Sequence, residues 1–347
     1  MTAMENEMKT SWCLAVAAFG LVAVHVGIAQ QNEAASPGLD VIRLRPNFYM
    51  IAGAGGNIGV QLGPDGVIVV DSGSAARADA VIDEIKKLSP LRIRYIINTS
   101  DDDDHVGGNE KVARAGESLF LRGNLGPGGA GGNTAIDNGG AASIVGTENT
   151  YLRMGGATGE PPRYPAIAQP TEAFARRLKV MYLNNESIQI FHPSSAHTDG
   201  DAIVFFRQSD VIVTGDVFDM TRFPVIDVDR GGSVQGEIDV LNQLIDLAVP
   251  SIPLPWREGG TTVIPGHGRL SQQAEIVEYR DMVTIVRDRI QDMISQRMTL
   301  DQITKASPTK GWDRRFGSDS GSWTTRMFVE AVYRSLTATP KKFGERR

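Results

Sequence analysis

Four short apolar runs in this chain each end on a loop bearing histidine or aspartate, and that recurrence restricts its fold more than any other feature. Ile96-Ile97 leads into Asn98-Thr99-Ser100, four consecutive aspartates (Asp101 to Asp104), His105 and Gly107-Gly108. Apolar runs at 188–191 and 202–206 flank Ser195-Ala196-His197-Thr198-Asp199-Gly200-Asp201. Val211-Ile212-Val213 ends at Thr214-Gly215-Asp216, and Val263-Ile264 precedes Pro265-Gly266-His267-Gly268. Buried strands that end in such loops are how α/β folds assemble a metal site from distant sequence. The chain has only five histidines, and three stand in these loops, which core packing does not explain. Four adjacent carboxylates repel one another, so a fold retains them where they are solvated or where a cation sits among them.

The ordered set of an Asp104-His105-x-Gly107-Gly108 turn, Ala196-His197-Thr198-Asp199-Gly200-Asp201, Thr214-Gly215-Asp216 and Pro265-Gly266-His267-Gly268 resembles the metallo-β-lactamase-fold hydrolase superfamily. The resemblance covers roughly residues 45 to 275. It implies an α/β fold, a four-layered αβ/βα sandwich with a metal cleft along one edge of two sheets. Val67-Ile68-Val69-Val70-Asp71-Ser72-Gly73 looks like the early strand whose terminal aspartate braces the metal loop, and Gly55-Gly56-Asn57 like the turn of the first hairpin.

One departure bears on the chemistry. The family's first motif is usually His-x-His-x-Asp-His. Aligned on Asp104-His105, it places Ser100 and Asp102 where the first two histidines belong. The resemblance then implies a second metal site complete at Asp104, His105, His267 and the bridging Asp216, with the first reduced to Asp102, His197 and Ser100. Two imidazoles and two carboxylates suit zinc, with iron and manganese as alternatives. Asp102 in place of histidine exchanges a nitrogen donor for a hard oxygen, and a protonated serine hydroxyl is a poor ligand. One tightly bound ion is expected. It would lower the pKa of water and polarise a carbonyl or phosphoryl oxygen, with Asp104 or Asp102 managing the proton.

A net charge of −6 and no basic stripe with interleaved aromatics argue against a nucleic-acid partner, leaving a small-molecule substrate. At the N-terminus Lys9 precedes an apolar run at 12–28, and Gly27 and Ala29 offer a small-x-small cleavage pattern. Residues 1–29 are read as a signal peptide, initiation at Met8 would remove Glu5 and Glu7, and the product is expected to be periplasmic or secreted. The run is shorter than the roughly 20 residues of a spanning helix, so no stable membrane insertion is expected after processing. Cys13, the only cysteine, falls inside that segment, and the mature chain needs no disulfide.

Residues 30–275 are then the main domain, with a glycine-rich insertion at 122–146 that lacks the ending of a phosphate-binding loop. It reads as a surface insertion or a lid over the cleft. Residues 148–154 look helical. A helical extension, 276–347, shows three- and four-residue apolar spacing at Ile276, Tyr279, Met282, Val283 and Val286, then at Met327, Phe328, Ala331 and Val332, with Thr324 as an N-terminal helper. Those helices would pack on the main domain or at a homodimer contact. His192 reads as a supporting or core residue, Asp201 as structural, and Asp219, Asp227 and Asp229 as solvated carboxylates.

The expected function is an exported metal-dependent hydrolase of an ester, thioester, lactone or phosphodiester. The competing expectation is a non-catalytic metal- or ligand-binding relative, since loss of two histidines at one site is how such a protein would look. A true β-lactamase is disfavoured by Asp216, where such enzymes usually carry Cys or Ser.

Overall fold

Alternating side chains on fully buried strands determine how the layers stack. A computed structural model of the protein describes residues 38–119, 140–156, 161–251 and 259–338. In β4 (Gly66–Val70) every residue is buried. Val67 and Val69 face one apolar layer while Ile68 and Val70 face another. The same split recurs in β10 (Ile203–Phe206), where Val204 and Phe206 point inward against the first sheet and Ile203 and Phe205 point to the opposite layer. Strands buried on both faces must be covered twice, which requires helices outside each sheet.

The first sheet has the order β1 (Asp40–Arg45), β2 (Phe48–Ala52), β3 (Ile58–Gly63), β4, β5 (Ile93–Ile97), β6 (Ser143–Thr147) and β7 (Glu172–Phe174). Pairing is antiparallel up to β4 and parallel from β4 to β7. The second runs β12 (Thr262–Ile264), β11 (Val211–Val213), β10, β9 (Glu186–Phe191) and β8 (Leu178–Leu183), antiparallel except for the parallel β11–β12 pair. Phe48, Ile97 and Val145 of the first sheet meet Ile190, Phe206 and Ile264 of the second in the central layer. Helices α1 (Ala78–Leu88) and α3 (Asn109–Ala115) cover the outer face of the first sheet through Val81, Ile85 and Val112. The expected four-layered sandwich is the observed one.

The outer face of the second sheet is covered by α5 (Val234–Leu247), α6 (Gln273–Ser295), α7 (Leu300–Ala306), α8 (Asp313–Phe316) and α9 (Thr325–Thr337), all within one apolar cluster. A capping box of Gln272 with Glu275 starts α6, and Thr324 caps α9 by accepting from the Met327 amide. The C-terminal helices are thus the fourth layer. Helix α6 begins at Gln273, ahead of the boundary expected at 276, and the short helices α7 and α8 lie between it and α9.

The glycine-rich insertion also has a nearer end than expected. Residues 143–146 belong to buried β6, because Ser143, Ile144 and Val145 complete the parallel ladder beside β5. Helix α4 (Glu148–Gly155) follows as expected. The segment read as a signal peptide and residues 122–139 of the insertion lie outside the described residues. The described residues form one compact unit. Among the described residues no helix is long and apolar enough to cross a membrane.

Candidate metal centre

The strand ends β5, β11 and β12 and the β9–β10 loop converge on one edge of the sandwich. After β5 the chain passes through Asn98 to Asp102 into the short helix α2 (Asp103–Val106), which carries Asp104 and His105. Asp71, just beyond β4, adopts a left-handed φ of 64°. Its carboxylate accepts from the Thr99 amide at 2.8 Å and the Thr99 hydroxyl at 2.6 Å, and lies 2.7 Å from His105 Nδ1. A carboxylate on Nδ1 fixes the imidazole so that Nε2 faces the cleft. That Nε2 is 3.2 Å from Asp216 Oδ1. The expectation that Asp71 braces the metal loop agrees with these contacts.

The turn at Gly55-Gly56-Asn57 joins β2 to β3, so it belongs to the second hairpin of the sheet. It staples two metal loops: the Gly56 amide donates to Asp104 O at 2.9 Å, the Asn57 amide to Gly266 O at 2.8 Å, and Asn57 Nδ2 to Pro265 O and Gly268 O, both at 2.9 Å. A Cβ at Gly56 would lie 2.6 Å from the His105 ring, so only glycine lets that ring sit against the backbone.

Asp104, His105, Asp216 and His267 each offer a ligand atom within 4.8 Å of the others. His267 Nε2 lies 3.2 Å from Asp104 Oδ2 and 3.3 Å from Asp216 Oδ1. It is buried and has hydrogen-bond geometry to neither. A buried imidazole nitrogen without a hydrogen-bond partner, facing two carboxylates, with a second imidazole edge-on 5.6 Å away, completes a donor set that suits a divalent transition metal. These four residues fit the ion.

A second group, Asp102, His197 and Asp216, meets the same proximity, but its donors engage one another. His197 Nδ1 donates to Val225 O at 2.6 Å, and Nε2 is 2.7 Å from Asp102 Oδ2. Ser100 is buried, its hydroxyl accepting from the Asp102 amide at 3.2 Å.

The charges of this pocket shape its titration. Burial works against the charged form of each imidazole, yet the surrounding carboxylates prevail. Asp102, Asp201 and Asp216 push His197 up to about 10, and Asp104 and Asp216 push His267 up to about 9. His105 is likewise raised well above its usual value by Asp216 and Asp71. Burial of Asp216 opposes ionisation, but the three imidazoles hold it well below the carboxylate range. Asp104 is lowered by the adjacent His267 against its own burial. Without an ion, the centre is a set of imidazolium–carboxylate pairs.

The acidic run itself is held by arginines that the sequence reading missed. Asp101 is fully buried. It takes Arg153 Nε at 2.8 Å, Arg163 Nη1 at 2.9 Å and Arg230 Nη1 at 3.4 Å. Asp102 takes Arg230 Nη1 at 2.8 Å, and Asp103 takes Arg163 Nη2 at 2.7 Å and the Tyr164 hydroxyl. The three guanidiniums come from positions 52, 62 and 129 residues further along the chain. The only sequence signal was the unbalanced charge of four aspartates.

Among the supporting residues, Asp201 is structural as expected, accepting from the Thr198 amide and hydroxyl. His192 lies outside both metal groups, its Nδ1 donating to Asp201 O at 2.9 Å. Asp219 corrects the expectation of a solvated carboxylate. It is buried and accepts from the Thr221 amide, the Thr221 hydroxyl and Arg222 Nε, in the segment paired with the His267 loop. Asp227 is bound to Arg230 Nε at 2.7 Å, and Asp229, though exposed, pairs with Arg334.

The family model of the metallo-beta-lactamase superfamily matches residues 52–117. No curated protein matches the sequence. Among solved structures, the stereoselective inverting sec-alkylsulfatase Pisa1 from Pseudomonas sp. superposes with a TM-score of 0.60 at 15% identity, over 86% of this chain and 50% of its own. A double mutant of the sec-alkyl sulfatase PisA1 gives 0.61 at 13% identity over the same shares. A metallo-beta-lactamase from Pontibacter korlensis gives 0.50 at 14% identity, over 71% of this chain and 99% of its own. This chain thus spans about half the length of the alkylsulfatase chains, and at such identities the likeness is one of fold. The chain thus matches the superfamily's model over the segment from the end of β2 through α3, and it shares the fold of these structures.

Proposed function

We propose that the protein is a metal-dependent hydrolase of a small-molecule ester, thioester, lactone or phosphodiester, holding one tightly bound transition metal, zinc above iron or manganese. The observation that carries this reading is the convergence of Asp104, His105, Asp216 and His267, with the buried His267 Nε2 lacking a hydrogen-bond partner while facing both carboxylates. A divalent ion there supplies an acidified water and an electrophile for a substrate oxygen. The chain's own residues do the rest. Asp71 holds His105 in one tautomer, and the Asn57 staple holds the His267 loop. Asp104, two-fifths exposed, is placed to take a proton from an attacking water and return it to a leaving group; Asp102 is the alternative proton carrier. The N-terminal sequence supports export, and a mature chain starting near Gln30 is expected, read by intact mass of protein expressed with its own N-terminus.

A second reading, binding without turnover, is favoured by one observation: both oxygens of Asp102 are engaged, by His197 and by Arg230. Metal analysis of the purified mature chain, with chromogenic esters, thioesters, lactones, phosphodiesters and sulfate esters, separates the two. Hydrolysis that disappears with chelation and in His267→Ala supports the enzyme. A metal-loaded protein inert toward every class supports the binder.

A further inference from the structure

An arginine, Arg230, lies against Asp102, where the sequence departs from the histidine motif. Arg230 sits in the loop between Asp227 and Gly232, which is pressed onto the His197 loop. The Asp227 amide donates to His197 O at 2.9 Å, the Asp199 amide to Arg230 O at 3.0 Å, and the Ser233 amide to Ala196 O at 3.0 Å. A Cβ on Gly232 would lie 2.2 Å from His197 O, so glycine is what permits this approach. From that backbone the guanidinium reaches Asp227 through Nε at 2.7 Å, and Asp102 Oδ1 and Asp101 Oδ2 through Nη1 at 2.8 and 3.4 Å. It is clamped by three carboxylates.

We propose that Arg230 stands in for the first metal ion, making the centre mononuclear. An ion entering between Asp102, His197 and Asp216 would have to share Asp102 with a guanidinium that stays charged at every accessible pH and whose position is already fixed. Aspartate at 102 is what makes the substitution work. A carboxylate accepts a guanidinium and an imidazole N–H at once, on its two oxygens, whereas a histidine in that place would face Arg230 with no acceptor of comparable strength. Ser100 complements the change: its small side chain turns to the Asp102 amide and offers the cleft no imidazole. The two departures from the histidine motif and Arg230 are therefore one coupled replacement, of a metal by a side-chain cation.

This inference rests on Asp104, His105, Asp216 and His267 holding an ion, as proposed above, and the test separates the two. Zinc and, separately, manganese(II) are titrated into the full mature chain, with stoichiometry read by calorimetry and by elemental analysis after gel filtration. The wild type is expected to hold one ion per chain. Arg230→Gln is expected to approach two, the second weaker, and adding His197→Ala to that variant should return it to one. Arg163→Gln, which removes one arginine from Asp101 and Asp103 and none from Asp102, should stay at one. A folded Arg230→Gln that still binds a single ion overturns the role of Arg230 and leaves the metal centre standing. An equal gain in Arg163→Gln overturns it too, since general loosening would then suffice, as does a wild type with two equivalent ions. A wild type with no ion sinks both readings. If Arg230→Gln does not fold, Arg230→Gln with Asp227→Asn removes the charge together with a carboxylate it would strand, and the same one-or-two outcome decides.

Discussion

At the scale of single residues, the side chains that shape the centre from outside it are the more informative. Asp71 touches no ion, yet it sets the tautomer of His105 and ties down Thr99. Asp71→Asn is expected to weaken zinc binding about 10- to 100-fold in a chelator competition assay. His267→Ala and Asp216→Ala should abolish tight binding, whereas Ser100→Ala should leave it nearly unchanged. Glu237 makes a separate test. It is buried on α5 with neither carboxylate oxygen hydrogen-bonded. Burial raises its pKa well above the ordinary glutamate value, with Asp201 and Asp216 adding to the rise and His197 opposing it. An acid raised on folding contributes stability that is intact below its unfolded pKa and lost as pH climbs toward the folded one. Within that window the loss approaches about 1.4 kcal/mol per pH unit. Glu237→Met keeps the shape without the ionisable group, so it should raise stability at neutral pH and remove that slope. Urea denaturation at pH 5, 6 and 7 checks it, and a wild-type curve parallel to the variant's would count against a neutral buried Glu237.

Among the elements, the fourth layer is the one whose weight the sequence understated. Phe328 of α9 stacks on Phe223, with ring centroids 4.8 Å apart and planes 5° from parallel, and Tyr279 of α6 packs edge-on to Phe218 and Phe316. These contacts tie the C-terminal helices to the segment that follows Asp216. Phe328→Ala is therefore expected to cost about 3–5 kcal/mol, and a chain ending before α6 should not yield a folded domain by circular dichroism. The strands and the metal loops were legible in the sequence because each is local: an apolar run of strand length, then glycine with histidine or aspartate. Thr324 as the cap of α9 was legible for the same reason. The end of the glycine-rich stretch was misplaced because Ser143, Ile144 and Val145 have too short an apolar run to read as a strand until β5 pairs with it. Arg153, Arg163 and Arg230 could not be assigned at all, since nothing within their own segments records the aspartates they meet.

In the molecule as a whole, the four candidate ligands come from both sheets. Asp104 and His105 follow β5 of the first, while Asp216 and His267 follow β11 and β12 of the second. An ion held by all four cross-links the two halves of the sandwich at their open edge, so its binding free energy becomes folding free energy. At a free ion concentration 100 times Kd the linkage is worth about 2.7 kcal/mol, which for a chain of this size is a rise in Tm on the order of 5 °C. The size of that rise should depend on pH in a direction set by the imidazoles. Without an ion, His267 titrates near 9 and His197 near 10, and His105 is raised as well. A zinc ion bound there would have to expel protons from His105 and His267, and acid would compete with it. Chelation should accordingly lower Tm more at pH 8 than at pH 6, and zinc uptake should release protons, seen as a binding enthalpy that changes with the ionisation enthalpy of the buffer. Differential scanning calorimetry with and without chelator at the two pH values gives the first measurement. His267→Ala should show no chelator effect at either pH. A wild-type shift equal at pH 6 and 8 would mean that the imidazoles bind the ion without giving up protons, contrary to the carboxylate pairing that surrounds them.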